Sequence, residues 1–199
     1  MNIITDKLPD VVEIEGVEYP IYTDFRIWIK FELLLQSEEP KEKIFFDAIK
    51  LCFKRSNGPF RLPPTPIVTL RALFSFYSRT YGSEPEKDSD TQASTDTRAA
   101  AERIYSFNED ADYIYAAFRE QYGIDLSDCD MHWWQFRALF AGIGSNTKFG
   151  NIMSIRAVDL SDISDKKQRS YYKKLKRLFA LDDNRSEEQR ENDMADMFW

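Results

Sequence analysis

The sequence predicts a mainly α protein: a helical bundle of about six to seven helices behind a short N-terminal β-hairpin. Three observations predict it. Apolar residues recur at three- and four-residue spacing through most of the chain, and the clearest alternation falls in residues 11–22. Only seven glycines occur in 199 residues, which speaks against a Gly-rich β protein. Hydrophobic residues make up 43% and aromatics 15%, enough for a packed core, so a wholly disordered chain is excluded.

The hairpin comes first. Val12 and Ile14 alternate with Glu13 and Glu15, Val17 and Tyr19 with Glu18, and Glu15-Gly16 is a tight-turn candidate. Pro20 confines the second strand to an edge or an end. Thr23-Asp24 then offers an N-cap for a helix over 25–35. Ile27, Phe31, Leu34 and Leu35 share one face there, and Phe25, Trp28 and Ile29 widen it. The same stretch also alternates, so a strand stays open as the other reading. Pro40 suits the first turn of the next helix, with Ile44, Phe45, Ala48, Cys52 and Phe53 apolar and Asn57-Gly58-Pro59 as its end. Thr65 and Pro66 start a third helix, faced by Ile67, Leu70, Phe74 and Tyr77 and stopped by Gly82.

Residues 83–97 contain no large apolar residue and cannot offset chain entropy by burial, so 83–105 is expected to be a flexible acidic linker. It separates an N-terminal region, 1–82, from a C-terminal helical region, 106–181. In the latter a helix is expected over 109–122, with Ile114, Ala117, Phe118 and Tyr122 inward and Gly123 as stop. Asp128 or Asp130 opens another, faced by Trp133, Phe136, Phe140 and Ile143. Asn146-Thr147 can cap a short helix carrying Phe149, Ile152 and Met153. Ser161-Asp162 can cap a last one, with Tyr171, Leu175, Leu178 and Phe179 spaced for burial. Residues 182–199 form a polar tail with an apolar tip.

Charge and cysteine content narrow the function classes. Thirty-four acidic against 27 basic residues give a net charge of -7, which speaks against a generally basic nucleic-acid coat protein. Cys52 and Cys129 lie in helical-looking apolar stretches and read as reduced core thiols. The first residues lack a basic n-region and an apolar h-region, and no apolar run is long enough to span a bilayer. The expectation is a soluble intracellular protein without membrane partners.

No constellation in the chain builds an active site. Gly142 and Gly144 fail the phosphate-loop and dinucleotide patterns and read as a helix–helix turn. Asp125, Asp128 and Asp130 miss the spacing of a calcium loop and read as caps. A single histidine, His132, excludes multi-histidine zinc sites, and its pairing with Cys129 lacks an oxyanion site. The reading is therefore no catalytic residue, no metal and no cofactor.

Binding features are easier to find. Lys166, Lys167, Arg169, Lys173, Lys174, Lys176 and Arg177 occur with no acid between them. On a helix they make a broad cationic face opposite Tyr171, Leu175 and Leu178. That face can stay solvated, or meet an acidic partner, nucleic-acid phosphate or the chain's own acidic linker. Adjacent Trp133 and Trp134 point in different helical directions, so at least one enters the core, and Trp134 is the expected exposed contact. Met197, Phe198 and Trp199 tip a charged stem, as in a docking peptide or a locally packed terminus.

Three stretches taken together resemble a known family. The first runs from Leu8-Pro9-Asp10 through Gly16-Val17-Glu18-Tyr19-Pro20-Ile21 to Thr23, Asp24, Phe25, Arg26 and Trp28. The second is Asp110 through Phe118 with Tyr122 through Leu126. The third is His132 through Phe136, Ala138 through Phe140, Thr147 through Phe149, Ile152, Ile155 and Arg156, closing with Tyr172, Lys174 through Lys176 and Leu181. Residues 1–35 and 106–181 thus resemble the bacteriophage "gene product fifteen" family of tailed phages and prophages of Gram-positive bacteria. The resemblance implies a tail-module protein of the host cytoplasm, non-enzymatic, acting as a tail assembly chaperone for the tape-measure protein, with self-association open. A structural virion component is the alternative, and a nucleic-acid-binding protein a more distant one. The resemblance carries no catalytic residues.

Overall fold

The computed structural model describes residues 2–54, 65–80 and 103–181. The chain divides into two units. One comprises 1–90 with 128–142, the other 91–127 with 143–199.

In the first unit, β1 (Val11–Ile14) and β2 (Val17–Pro20) pair antiparallel, with Val12 opposite Tyr19 and Ile14 opposite Val17. Val12, Ile14 and Tyr19 are buried while Glu13, Glu15 and Glu18 face water, as the alternation predicts, but Val17, expected on the same side as Tyr19, is exposed at the turn. Glu15 and Gly16 both take positive φ, 53° and 76°, the primed turn that matches strand twist. Pairing continues past Pro20: Ile21 bridges Phe53, and the Tyr22 N–H donates to the Cys52 carbonyl at 2.8 Å.

Helix α1 (Phe25–Leu35) starts where Asp24 Oδ1 accepts from the Arg26 N–H at 2.8 Å. It is a helix and not the alternative strand, and it buries Phe25, Trp28 and Phe31 at three-residue spacing. Helix α2 (Lys41–Cys52) buries Ala48, Ile49 and Cys52. It stops at Cys52, well before Asn57-Gly58-Pro59, because Phe53 turns extended to meet Ile21. Residues 57–59 lie outside the described residues.

Helix α3 (Pro66–Ser78) begins with Pro66 at its first position, but Thr65 makes no side-chain cap bond. Its inward face is Thr69, Leu73 and Phe76, while Ile67 and Phe74, expected inside, are exposed. Apolar residues lie on almost every side of this helix, so period alone does not set its phase. Packing of Phe76 on Trp28 (4.6 Å between centroids) does. The stop is Arg79 in the left-handed region (φ 62°). Gly82, the expected stop, lies outside the described residues, as does the expected linker over 83–105 up to residue 102. Its last residues are described, and there the Ile104 carbonyl accepts from Arg156 and Tyr105 packs on Phe107.

Helix α5 (Trp133–Ala141) belongs to this unit, whereas the sequence places it with 106–181. Asp24 bridges His132, the Trp133 N–H donates to the Thr23 carbonyl at 2.7 Å, and the Phe25 N–H donates to the Met131 carbonyl at 3.1 Å. Stacking of Phe25 on Phe136 completes the join. Its N-cap is His132, not Asp128 or Asp130, both of which are exposed in the preceding loop. Cys129 also sits in that loop, half-buried and outside any helix.

In the second unit, α4 (Ala111–Tyr122) ends at Gly123 with φ 68°, as its sequence predicts. It packs on α6 (Lys148–Ala157), and α7 (Lys166–Leu178) packs on α6 and on a 3-10 turn over Leu160–Asp162. Ile114, Phe118, Phe149 and Ile152 fill the core. Ser161 and Asp162 belong to that turn, and the N-cap of α7 is Asp165, whose Oδ1 accepts from the Gln168 N–H at 2.7 Å.

Thr147 caps α6 by accepting from the Gly150 N–H at 3.0 Å, and the same hydroxyl donates to the Gly144 carbonyl at 2.9 Å. This folds the Gly144 loop directly onto the first turn of α6. A Cβ on Gly150 would stand 2.1 Å from the Gly144 carbonyl oxygen. Gly→Ala within a helix ordinarily gains about 1 kcal/mol. Here the clash is with backbone, so Gly150→Ala is expected to cost about 1–3 kcal/mol instead, read as a lowered urea midpoint. An unchanged or raised midpoint would overturn this account of the loop.

Candidate functional site

Both ring nitrogens of His132 are engaged where the loop before α5 ends. Its Nδ1 accepts from the Trp134 N–H at 3.0 Å, and its Nε2 lies 3.0 Å from the Pro9 carbonyl oxygen. One neutral tautomer, with the proton on Nε2, satisfies both contacts. Neither ring nitrogen is left to take a proton from a nucleophile. The imidazole is a capping group that also fastens the segment before β1.

Burial lowers the His132 pKa below its ordinary value, outweighing the Pro9 hydrogen bond and the charge of Asp10, which raise it. A depressed histidine pKa contributes stability that is complete above the unfolded value of about 6.5 and is lost as pH falls through the folded value. Protonation of Nδ1 also destroys the acceptor for Trp134. The urea midpoint is expected to fall between pH 7.5 and pH 5, and His132→Asn, which keeps a capping oxygen, to flatten that fall. A fall of equal size in the asparagine variant would rule His132 out as its source.

The acidic loop is equally local. Asp125 Oδ1 accepts from the Ser127 N–H at 3.0 Å and the Ser127 hydroxyl at 2.6 Å, and Tyr115 adds its hydroxyl at 3.2 Å. The Ser127 bonds, with smaller help from Tyr115 and Arg119, hold its carboxyl below the usual range. Among the described residues no group of three or more His, Cys, Asp or Glu side chains could hold a metal ion. Cys52 is buried at the end of α2, where desolvation pushes its thiol far up, away from the reactive thiolate.

The tryptophan pair is core. Trp134, expected to be exposed, is 2% accessible and Trp133 is buried beside it. Their side chains do diverge by roughly 100°, yet both directions are covered. Trp133 Nε1 donates to the Tyr77 carbonyl at 2.9 Å and its ring stacks on Tyr77. Trp134 Nε1 donates to the Phe76 carbonyl at 2.8 Å and its ring packs on Phe76. The last turn of α3 thus supplies two carbonyls to two adjacent indoles. Residue periodicity could not reveal this, because it depends on where α3 ends.

Sequence reasoning also missed a buried ion pair. Arg156 lies on the inward face of α6 with Ile152 and Ile155, and its guanidinium grips Asp110 at 2.6 and 2.9 Å. A lone cation inside an apolar stripe was the available signal. The pair ties the start of α4 to α6 and serves structure.

What faces outward is α7. None of its residues is buried. Lys166, Lys167, Lys173, Lys174 and Arg177 are exposed and make no ion pair among the described residues. Arg169 instead donates to the Ile163 carbonyl, and Lys176 to the Val158 carbonyl at 3.0 Å, which ties the helix to the 3-10 turn beneath it. Tyr171 and Leu178, expected inside, are 59% and 52% accessible. Only the flank carrying Tyr172, Leu175 and Phe179 is half covered. The helix therefore presents cations and large apolar groups on one surface. Met197, Phe198 and Trp199 lie outside the described residues.

Among the described residues no helix is long and apolar enough to cross a membrane. No curated protein and no solved structure matches the chain. A family described as "Bacteriophage Gp15 protein" matches residues 4–181, which takes in both units and every described helix from α1 to α7. That match spans most of the sequence and agrees with the residue pattern of the hairpin, α4 and α5. The chain belongs to the bacteriophage Gp15 protein family, and so is a phage structural or morphogenesis protein.

Proposed function

We propose that this protein acts by binding, without enzymatic chemistry, as a tail assembly chaperone that holds the tape-measure protein in the host cytoplasm until the tail tube forms around it. The observation that supports this reading best is α7. A helix with seven cations, no acid and two exposed large apolar side chains is suited to a long, amphipathic client. Apolar contact supplies affinity there, and the cations set orientation and encounter rate. The commitment of both His132 ring nitrogens to structural contacts supports the non-enzymatic part.

The test is co-expression with the tape-measure protein of the same phage, paired with Tyr171→Ser/Leu178→Ser. A stable complex with soluble tape measure is expected from the parent chain. The double variant is expected to lose most of it while keeping its helical circular dichroism, because both side chains already face water. If the tape measure is insoluble with either chain and no complex forms, the client reading is wrong. Recovery of the protein in finished particles would then favour a virion component.

A further inference from the structure

Helix α7 is followed by a stretch of opposite charge. Residues 182–199 come directly after Leu181, just past the Phe179 C-cap of the helix, and they carry seven acidic residues against two arginines. The same stretch holds Met194, Met197, Phe198 and Trp199. We propose that this tail is the resident occupant of α7, lying back along the helix of its own molecule, its carboxylates on the lysines and its apolar residues on Tyr171 and the adjoining surface.

Charge is complementary: seven cations without an acid on α7 meet a tail with a net charge of -5 in its side chains (two minus seven). The chemistry also matches. The other acidic stretch, 83–97, has carboxylates but no large apolar side chain, so it cannot cover Tyr171 or Leu178, whereas the tail offers both kinds of group. Reach is sufficient. Helix α7 is about 20 Å long, and eighteen residues cover about 27 Å even when wound as a helix. The short connection gives the tail a high effective concentration at this face, so a separate partner that uses α7 must displace it. Such docking requires no tape-measure protein, and its test contains no client.

The experiment is zero-length carbodiimide cross-linking of the full chain, using an equal mixture of unlabelled and 15N-labelled protein, read by mass spectrometry. Links between Lys166 or Lys167 and Glu191, Asp193 or Asp196 are expected, each joining peptides of one isotope. These pairs are far enough apart in sequence that chain adjacency does not produce them. Links of mixed isotope would assign the face to a second copy, links to Glu84–Asp96 would assign it to the other acidic stretch, and no links would leave α7 uncovered. Each of those three outcomes overturns the proposal. A parallel measurement is nitration of Tyr171. It is expected to be several-fold faster in Glu187→Gln/Glu188→Gln/Glu191→Gln/Asp193→Asn than in the parent, and equal rates would also overturn the proposal.

Discussion

Asp110→Ala is expected to destabilise the second unit by about 3–5 kcal/mol, the cost of leaving a buried charge without its partner. Asp110 and Arg156 are 1% and 7% accessible, so solvent cannot replace what the substitution removes. The carboxylate accepts both Arg156 terminal nitrogens and also the Ser106 N–H at 2.9 Å. The guanidinium donates further to the Ile104 carbonyl at 3.1 Å and the Phe179 carbonyl at 2.5 Å. One planar group therefore joins the approach to α4, α4's cap, α6 and the end of α7. After Asp110→Ala, the cation keeps only carbonyl partners, and the Ser106 N–H loses its acceptor. Hydrogen exchange of α4 and α6 amides is the measurement, because it reads this unit directly. Arg156→Ala should cost a similar amount, and the double variant less than the sum, since each single change strands a charge that the double change removes. A cost under about 1 kcal/mol for Asp110→Ala would mean the pair contributes no more than a surface contact.

The parts of this fold that were legible in the sequence are those set by neighbours in the chain. The hairpin follows from alternation plus a Glu15-Gly16 turn, and α1 and α6 start at Asp24 and Thr147 because a short polar side chain reaches the next amides. Gly123 stops α4 for an equally local reason. The rest depended on distant segments. His132 is a cap no sequence rule prefers over Asp128 or Asp130. It wins because strand-like pairing of 131–133 with 23–25 fixes where α5 begins, helped by Arg26 donating to the Cys129 carbonyl 103 positions away. The phase of α3 was set by Trp28, and the exposure of α7 by contact along a single flank. The candidate surface was legible as charge but not as shape. The run of lysines identified the helix, while periodicity wrongly placed Tyr171 and Leu178 inside and left Trp134 outside.

Trp134→Ala is expected to cost the first unit about 3–5 kcal/mol, as for other buried large aromatics, and any loss of binding that accompanies it should follow unfolding. The reason lies in what the indole touches. It packs on Phe76, meets His132 edge to face, lies under the Arg79 guanidinium and donates to the Phe76 carbonyl. Phe76 in turn packs on Trp28, so a cavity at Trp134 opens beside the central aromatic cluster. Trp134→Phe separates the contributions. It keeps most of the ring volume and gives up the indole N–H, so about 0.5–1.5 kcal/mol should be lost, the usual net worth of one hydrogen bond. Intrinsic fluorescence during urea unfolding gives the stabilities, and client retention measured well below each variant's midpoint gives the binding. If Trp134 acted as a contact residue, Trp134→Ala would bind poorly while folded and denature near the parent midpoint. Burial argues for the reverse pattern: an early midpoint, with parental binding in whatever fraction stays native. On α7 the expectation inverts, because Tyr171 and Leu178 can lose their apolar groups with little change in midpoint while binding falls. The two sets of variants thus divide the aromatic residues between folding and recognition, a division that exposure decides and residue type does not.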